Sequence, residues 1–261
     1  MLSVVIRNKN QEKALTFLLK NLRERYADDI DEIIVLDNLS TDGSKKVSEL
    51  YKTKFVTIEE FSYGESANIG ARVSSNNIVV MFSAHSFPIS HDFFKLIKAQ
   101  FKGRENELAG LRCLHNFNDY SAYINNLPST LDYNKAGLIF AGSVFNKKIW
   151  EKYPFKKDIK TFEDKEWSKR VIEAGYKIEF VPSIFCYNIK RSNKQLFFRF
   201  KNEVIGSYQL YHTDYTIIKS VKNLLHSGYK LSINYFVDLY YLIKKFLFML
   251  KFLLNKPEQF K

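Results

Sequence analysis

The chain has 261 residues, 46% of them hydrophobic and 26% charged, which suits one sizeable core and excludes a disordered tract. Its formal charge of +12 points to anionic partners: nucleic acid, phosphorylated small molecules or an acidic membrane surface. Cys113 and Cys186 make neither a metal-ligand spacing nor a disulfide framework, so two reduced thiols in a cytosolic protein are expected. In chain order, LSVVI (2–6) predicts a strand without the charged and apolar leader of a secreted chain. Residues 11–25 predict an amphipathic helix, and DEIIVLDN (31–38) a second strand. STDGSKKVSELY opens a second helix, with Ser40 or Thr41 as its cap and Asp42 at the positive end of the dipole. KFVTIEE (54–60), ESANIGARVSS (65–75), NIVVMFS (77–83) and HDFFKLIKAQF (91–101) continue as strand, helix, strand and helix. This alternation predicts an α/β, doubly wound sheet.

Beyond residue 103 the alternation weakens. ELAGLRCLHNF predicts a strand, and 117–135 reads as a polar loop. GLIFAGSVFNKKIWEKY restores a strand and a helix, KEWSKRVIEAGY predicts a helix closed by Gly175, and KIEFVPS predicts a strand. From residue 193 the chain reads as helix rich in Phe, Tyr, Leu and Lys. The composition shift near 190 divides the chain into an α/β domain, 1–190, and a helical, basic-aromatic C-terminal extension, 191–261.

Three stretches have the residue types for chemistry. Asp37, in VLDNLSTDGS, ends the second strand, where a carboxylate can meet a nucleobase or ribose; Asp37 and Asn38 can equally just make a turn. In FEDKEW (162–167), Glu163 and Asp164 precede a helix and can simply cap it, or can offer an anchored carboxylate to an attacking hydroxyl. VVMFSAHSFP (79–88) breaks from a buried strand into Ser83, Ala84 and His85 at the end where ligands sit.

In this order, EIIVLDNLSTDGS, FSYGESANIGARVSSNNIVVMFSAHSFP with Asn68, Gly70 and Ala71, and LIFAGSVFNKKIWEKYPFKKDIKTFEDKEWSKRVIEAGYKIEFVPS resemble family 2 glycosyltransferases of the GT-A fold. With SVVIRNKNQEKALTFLLKNL as the opening strand and helix, the likeness spans roughly the first three quarters of the chain. It implies a GT-A (Rossmann-like) mixed sheet flanked by helices and an inverting transfer from a nucleotide-diphosphate sugar to a glycan hydroxyl. The similarity points towards rhamnosyltransferase-like enzymes of bacterial capsule or O-antigen synthesis, whose acceptors are polyprenyl-linked. It further implies Asp164 as general base with Glu163 orienting either the acceptor or Asp164, and Arg7, Asn8, Asp37 and Asn68 in substrate binding.

Where the family has Asp-x-Asp for a divalent cation, Mn2+ or Mg2+, this chain has Ser83-Ala84-His85. Three readings stay open: a metal held by His85, a metal-free site with Lys190 and Arg191 as fixed cations on the diphosphate, and a non-catalytic sugar-nucleotide-binding or assembly subunit. Lys190 and Arg191 can also be a solvated loop. In the tail, SINYFVDLYYLIKKFLFMLKFLL (232–254), Asp238, Lys244, Lys245 and Lys251 share one narrow helical face. These charges interrupt the about 20 apolar residues a spanning helix needs. The pattern suits a helix lying on the inner face of the cytoplasmic membrane, or one packed on the core or on a second subunit of a homo-oligomer. A nucleic-acid-binding protein, the rival the charge suggests, is not expected, because the lysines spread along the whole chain without a recognition module.

Overall fold

The computed structural model describes residues 1–259. Two compact units are present, Met1–His212 and the segment from Thr213 onward. The composition shift at 190 falls within the first unit.

The first unit begins with strand β1 (Leu2–Asn8), helix α1 (Glu12–Arg25), β2 (Glu32–Asp37), α2 (Ser44–Leu50), β3 (Lys54–Thr57), α3 (Tyr63–Val73) and β4 (Ile78–Ser83). β1 pairs in parallel with β2 and β4, and β2 with β3. Side chains of β1 alternate between two cores: Leu2, Val4 and Ile6 pack with α1 and Phe93, Phe94 and Ile97, while Val5 packs with Ala67 and Ala71 of α3. Both faces of β1 are thus covered, which is why it reads as an unbroken apolar run.

The short strand β5 (Ser86–Pro88) and α4 (Phe93–Phe101) lead to β6 (Leu108–Leu114), α5 (Phe117–Ile124), α6 (Tyr133–Ala136), β7 (Gly142–Asn146), α7 (Lys147–Lys152), α8 (Glu163–Glu173), β8 (Lys177–Tyr187) and α9 (Asn193–Tyr211). β7 runs antiparallel to both β4 and β6, and β8 runs parallel to β6 and antiparallel to β5. The eight strands are ordered β3-β2-β1-β4-β7-β6-β8-β5, so the doubly wound pattern holds for the first half and the whole sheet is mixed.

Two local expectations differ from the structure. The second helix starts at Ser44 with Gly43 at its N-cap, and Asp42, one residue earlier, accepts the Ser44 N–H at 3.1 Å and the Ser44 hydroxyl at 2.6 Å. Ser40 is engaged elsewhere: its hydroxyl donates to Asp37 at 2.7 Å. The stretch 117–135 contains α5 and α6; Asn116 caps α5 by accepting the Asp119 N–H at 3.1 Å, and Asp132 caps α6.

The second unit is one long helix, α10 (Ile217–Leu254), capped by the Thr216 side chain. It buries none of its residues, and its Phe, Tyr, Leu and Ile side chains are exposed along its length. No helix of the described residues is long and apolar enough to cross a membrane.

Candidate active site

The carboxyl ends of β1, β2 and β4 open onto a cleft of about 1130 Å³, lined by Arg7 and Asn8 from β1, Asn38 after β2, and Ser83 and His85 after β4. A second lobe of about 560 Å³ shares Arg7, Ser83 and His85 and reaches Glu163, Asp164, His115 and Arg191. A crevice at these strand ends is where open α/β sheets bind ligands.

On the β2 side the polar groups are largely turned towards each other. Asp37 is 3% exposed; its carboxylate accepts from the Asn8 amide at 2.7 Å, the Ser40 N–H at 2.8 Å and the Ser40 hydroxyl. It holds Asn8 and Ser40 and does not line the cleft. Asn68 of α3 also lies off the cleft. Its buried amide donates to the Phe155 carbonyl at 2.9 Å and accepts from Phe155 N–H at 3.0 Å and Trp150 Nε1 at 2.9 Å.

On the α8 side the two acids part ways. Phe162 takes a left-handed conformation, φ +69°, and turns the chain into α8 at Glu163. Such a conformation costs a non-glycine residue about 1 kcal/mol or more and persists only where packing holds it. The ring of Tyr211 packs on Phe162 at 5.8 Å. Buried Glu163 accepts from the Arg7 guanidinium at 3.0 Å, yet burial and the neighbouring Asp164 raise its pKa above the usual carboxylate range. Asp164 is half-buried and anchored by backbone: Oδ2 accepts the Phe140 N–H at 3.0 Å and Oδ1 its neighbour's, Lys165, at 2.8 Å. The Phe140 carbonyl in turn accepts from Arg7 at 3.0 Å, so the backbone of one residue, Phe140, links Arg7 to Asp164.

His85 lies between the lobes. Its Nδ1 meets Gln11 Oε1 at 3.0 Å, its ring meets Tyr187 edge-on at 4.8 Å, and its buried Nε2 has no partner. Burial, Arg191 and Arg7 push its pKa down to about 4, so the imidazole is neutral at pH 7. Arg191 donates to the Tyr187 hydroxyl and faces the smaller lobe; Lys190 lines neither lobe.

The structure adds residues that the sequence reading did not single out. His115 pairs through Nδ1 with buried Asp119, which Arg112 holds at 3.0 and 2.7 Å, and its ring stacks on Phe185 at 4.9 Å. The cap pattern Asn116-x-x-Asp119 was the available signal for the helix that presents Asp119. Helix α9 brings Lys194, Phe198, Lys201, Asn202 and Ile205 to the larger lobe, a grouping visible only once α9 is placed.

This sheet order, with a carboxylate corner facing the strand ends, is the architecture of a GT-A glycosyltransferase. The model of the family described as "Glycosyl transferase family 2" matches residues 3–169. The chain belongs to that family and is a transferase. A dolichyl N-acetyl-alpha-D-glucosaminyl phosphate 3-beta-D-2,3-diacetamido-2,3-dideoxy-beta-D-glucuronosyltransferase of Methanococcus voltae is 27% identical over 224 residues, 76% of this chain and 70% of that protein. Among solved structures, a mannosyltransferase from Pyrobaculum calidifontis in complex with GDP-Man and Mn2+ superposes with a TM-score of 0.64 at 15% identity, over 82% of this chain and 65% of that one. The chain therefore spans just under two thirds of that mannosyltransferase. Glucosyl-3-phosphoglycerate synthase from Mycobacterium tuberculosis, in complex with Mn2+, UDP and glucosyl-3-phosphoglycerate, gives 0.60 at 14% identity, over 83% of this chain and 81% of that one.

The residues at the β4 end do not fit a resident divalent cation. Among the described residues no three His, Cys, Asp or Glu side chains group as a metal site. One neutral imidazole with an unpartnered Nε2 supplies at most one ligand, of a kind that Mg2+ disfavours.

Proposed function

We propose that this protein transfers a sugar, with inversion, from a nucleotide-diphosphate sugar to a hydroxyl of a polyprenyl-linked glycan in bacterial surface polysaccharide synthesis. The observation that carries the reading is Asp164: a half-buried carboxylate fixed by two backbone N–H groups, open to the smaller lobe and linked through the Phe140 backbone to Arg7. Fixed orientation with a lone pair left over is what a general base needs. The acceptor oxygen bonds to the anomeric carbon while its proton passes to Asp164. The bond from that carbon to the diphosphate oxygen breaks on the opposite face, and its electron pair leaves with the nucleotide. Glu163 acts through Arg7 as a positioning residue, since its carboxylate is buried against the guanidinium.

The lipid-linked acceptor draws support from the Methanococcus relative, whose name specifies a dolichyl-linked phosphate substrate. It draws further support from α10, where exposed aromatic and aliphatic side chains accompany Lys244, Lys245 and Lys251. That composition suits a helix lying in the interface of an anionic membrane, on its cytoplasmic side. Incubation with a panel of nucleotide sugars and a short-chain prenyl-diphosphate glycan, followed by NMR of the product, tests the chemistry. Transfer with an inverted anomeric centre is expected. Retention of configuration, or nucleotide binding without transfer or donor hydrolysis, defeats the reading in favour of a binding subunit. For the membrane, vesicles containing anionic lipid should float the full chain but not a version ending at His212, and equal flotation of both removes α10 from this role.

A further inference from the structure

The larger lobe of the cleft is strongly cationic. Arg7, Lys9, Lys157, Lys160, Lys194 and Lys201 line it, against the single carboxylate of Asp158. Three of these cations are already engaged: Arg7 with Glu163, Lys9 with the Asn38 carbonyl, and Lys157 with Glu65. Lys160, in the loop before α8, and Lys194 and Lys201, both on α9, have no carboxylate within ion-pair distance among the described residues, and Lys201 lies 5.3 Å from the Phe197 ring.

The placement of Lys194 and Lys201 is built into α9. Positions 194 and 201 are two turns apart and share one face with Phe198, Asn202 and Ile205, all of which reach the lobe. The other end of the helix is fastened to the loop that leads into Glu163. Gln209 accepts the Lys160 N–H at 3.1 Å and donates to the Asp158 carbonyl at 3.2 Å, and Tyr211 donates to Asn134 at 2.6 Å. Gly206 packs so closely that an added Cβ would lie 2.7 Å from Thr161 Cγ2 and 3.0 Å from the Phe162 ring. The lysine face therefore lines the same cleft as Ser83 and His85.

We propose that Lys194 and Lys201 bind the diphosphate of the nucleotide-sugar donor and do there the work of a metal ion, an inference that rests on the glycosyl-transfer reading above. When the sugar's bond to the diphosphate breaks, the electron pair stays on the phosphate oxygen. Two ammonium groups stabilise the charge that develops, and they act without removing a proton.

Calorimetry in EDTA, with inorganic pyrophosphate, UDP and GDP as probes, tests this apart from activity. The wild-type protein should bind pyrophosphate and at least one nucleotide without added metal. Lys194→Ala and Lys201→Ala should each weaken that binding about five- to tenfold and the double variant about fiftyfold, while Lys95→Ala, a surface change on α4, leaves it unaltered. Lys194→Gln and Lys201→Gln keep the length of the stem and serve as the second pair if alanine lowers the melting temperature. Wild-type affinity in the lysine variants, binding that appears only with Mn2+, or lysine-dependent binding of geranyl diphosphate but not of UDP or GDP overturns the inference. Sugar transfer that persists with unaltered lysine variants overturns this inference alone. Absence of both nucleotide binding and transfer overturns the glycosyl-transfer reading with it.

Discussion

The turn after β2 and the corner before α8 both carry acids at element ends beside the cleft, yet the two regions use them differently. At the turn, Asp37 takes three hydrogen bonds from Asn8 and Ser40 and is sealed from solvent. At the corner, Glu163 is sealed against Arg7 while Asp164 keeps access to the cleft, anchored only by peptide N–H groups. A side chain satisfied on all sides can shape a site, whereas one with spare hydrogen-bonding capacity can act on a ligand.

The largest effect should come from the open acid. Asp164→Asn keeps size but cannot take the proton, and kcat should fall by about 10²–10⁴ with nucleotide affinity in calorimetry unchanged. Turnover near that of the parent would erase the distinction between corner and turn.

Next comes a residue that the family resemblance put with the substrate and that the structure puts in the scaffold. Asn68→Ala strips partners from Trp150 Nε1 and from both polar groups of the Phe155 peptide, all buried. Stability should drop by about 2–4 kcal/mol in urea titrations, while the KM for the donor stays close to the parent's. A stable variant with impaired donor binding would place Asn68 at the ligand instead.

A smaller change is expected at the sealed acid itself. Asp37→Ala releases Asn8 and Ser40, so the donor KM should rise about tenfold with kcat nearly kept, because the loss concerns binding shared by ground and transition states. A kcat loss as deep as that of Asp164→Asn would show that the turn takes part in the chemistry.

The smallest effect lies at His85 and shows in pH. In the unfolded chain its imidazole protonates near pH 6.5, while the folded one, buried beside Arg191 and Arg7, resists until about pH 4. Between those values the unfolded chain binds more protons, so stability falls as the pH is lowered from 6.5 to 4. The loss should be on the order of 1–2 kcal/mol after solvent screening, and His85→Gln should flatten it. A melting temperature with the same pH slope in both proteins would mean that His85 is exposed in solution.

The α/β alternation of the first hundred residues is legible from local pattern alone. Doubly covered strands must be apolar throughout and their helices amphipathic, and β1, β2 and β4 show both signals locally. The sequence also placed Asp37, Ser83, His85 and the Glu163-Asp164 pair at element ends, since the breaks in hydrophobic pattern are local too. Only the tertiary structure decided what each does, because hydrogen-bond partners come from far along the chain: Glu163 meets Arg7 across 156 positions, and Asn68 meets Phe155 across 87. The reversal of β7 within the sheet and the seating of α9 on Thr161 and Phe162 are non-local as well. No periodicity in residues 193–211 announces that two of their lysines line the same cleft as Ser83 and His85; that depends on where a glycine lets the helix come to rest.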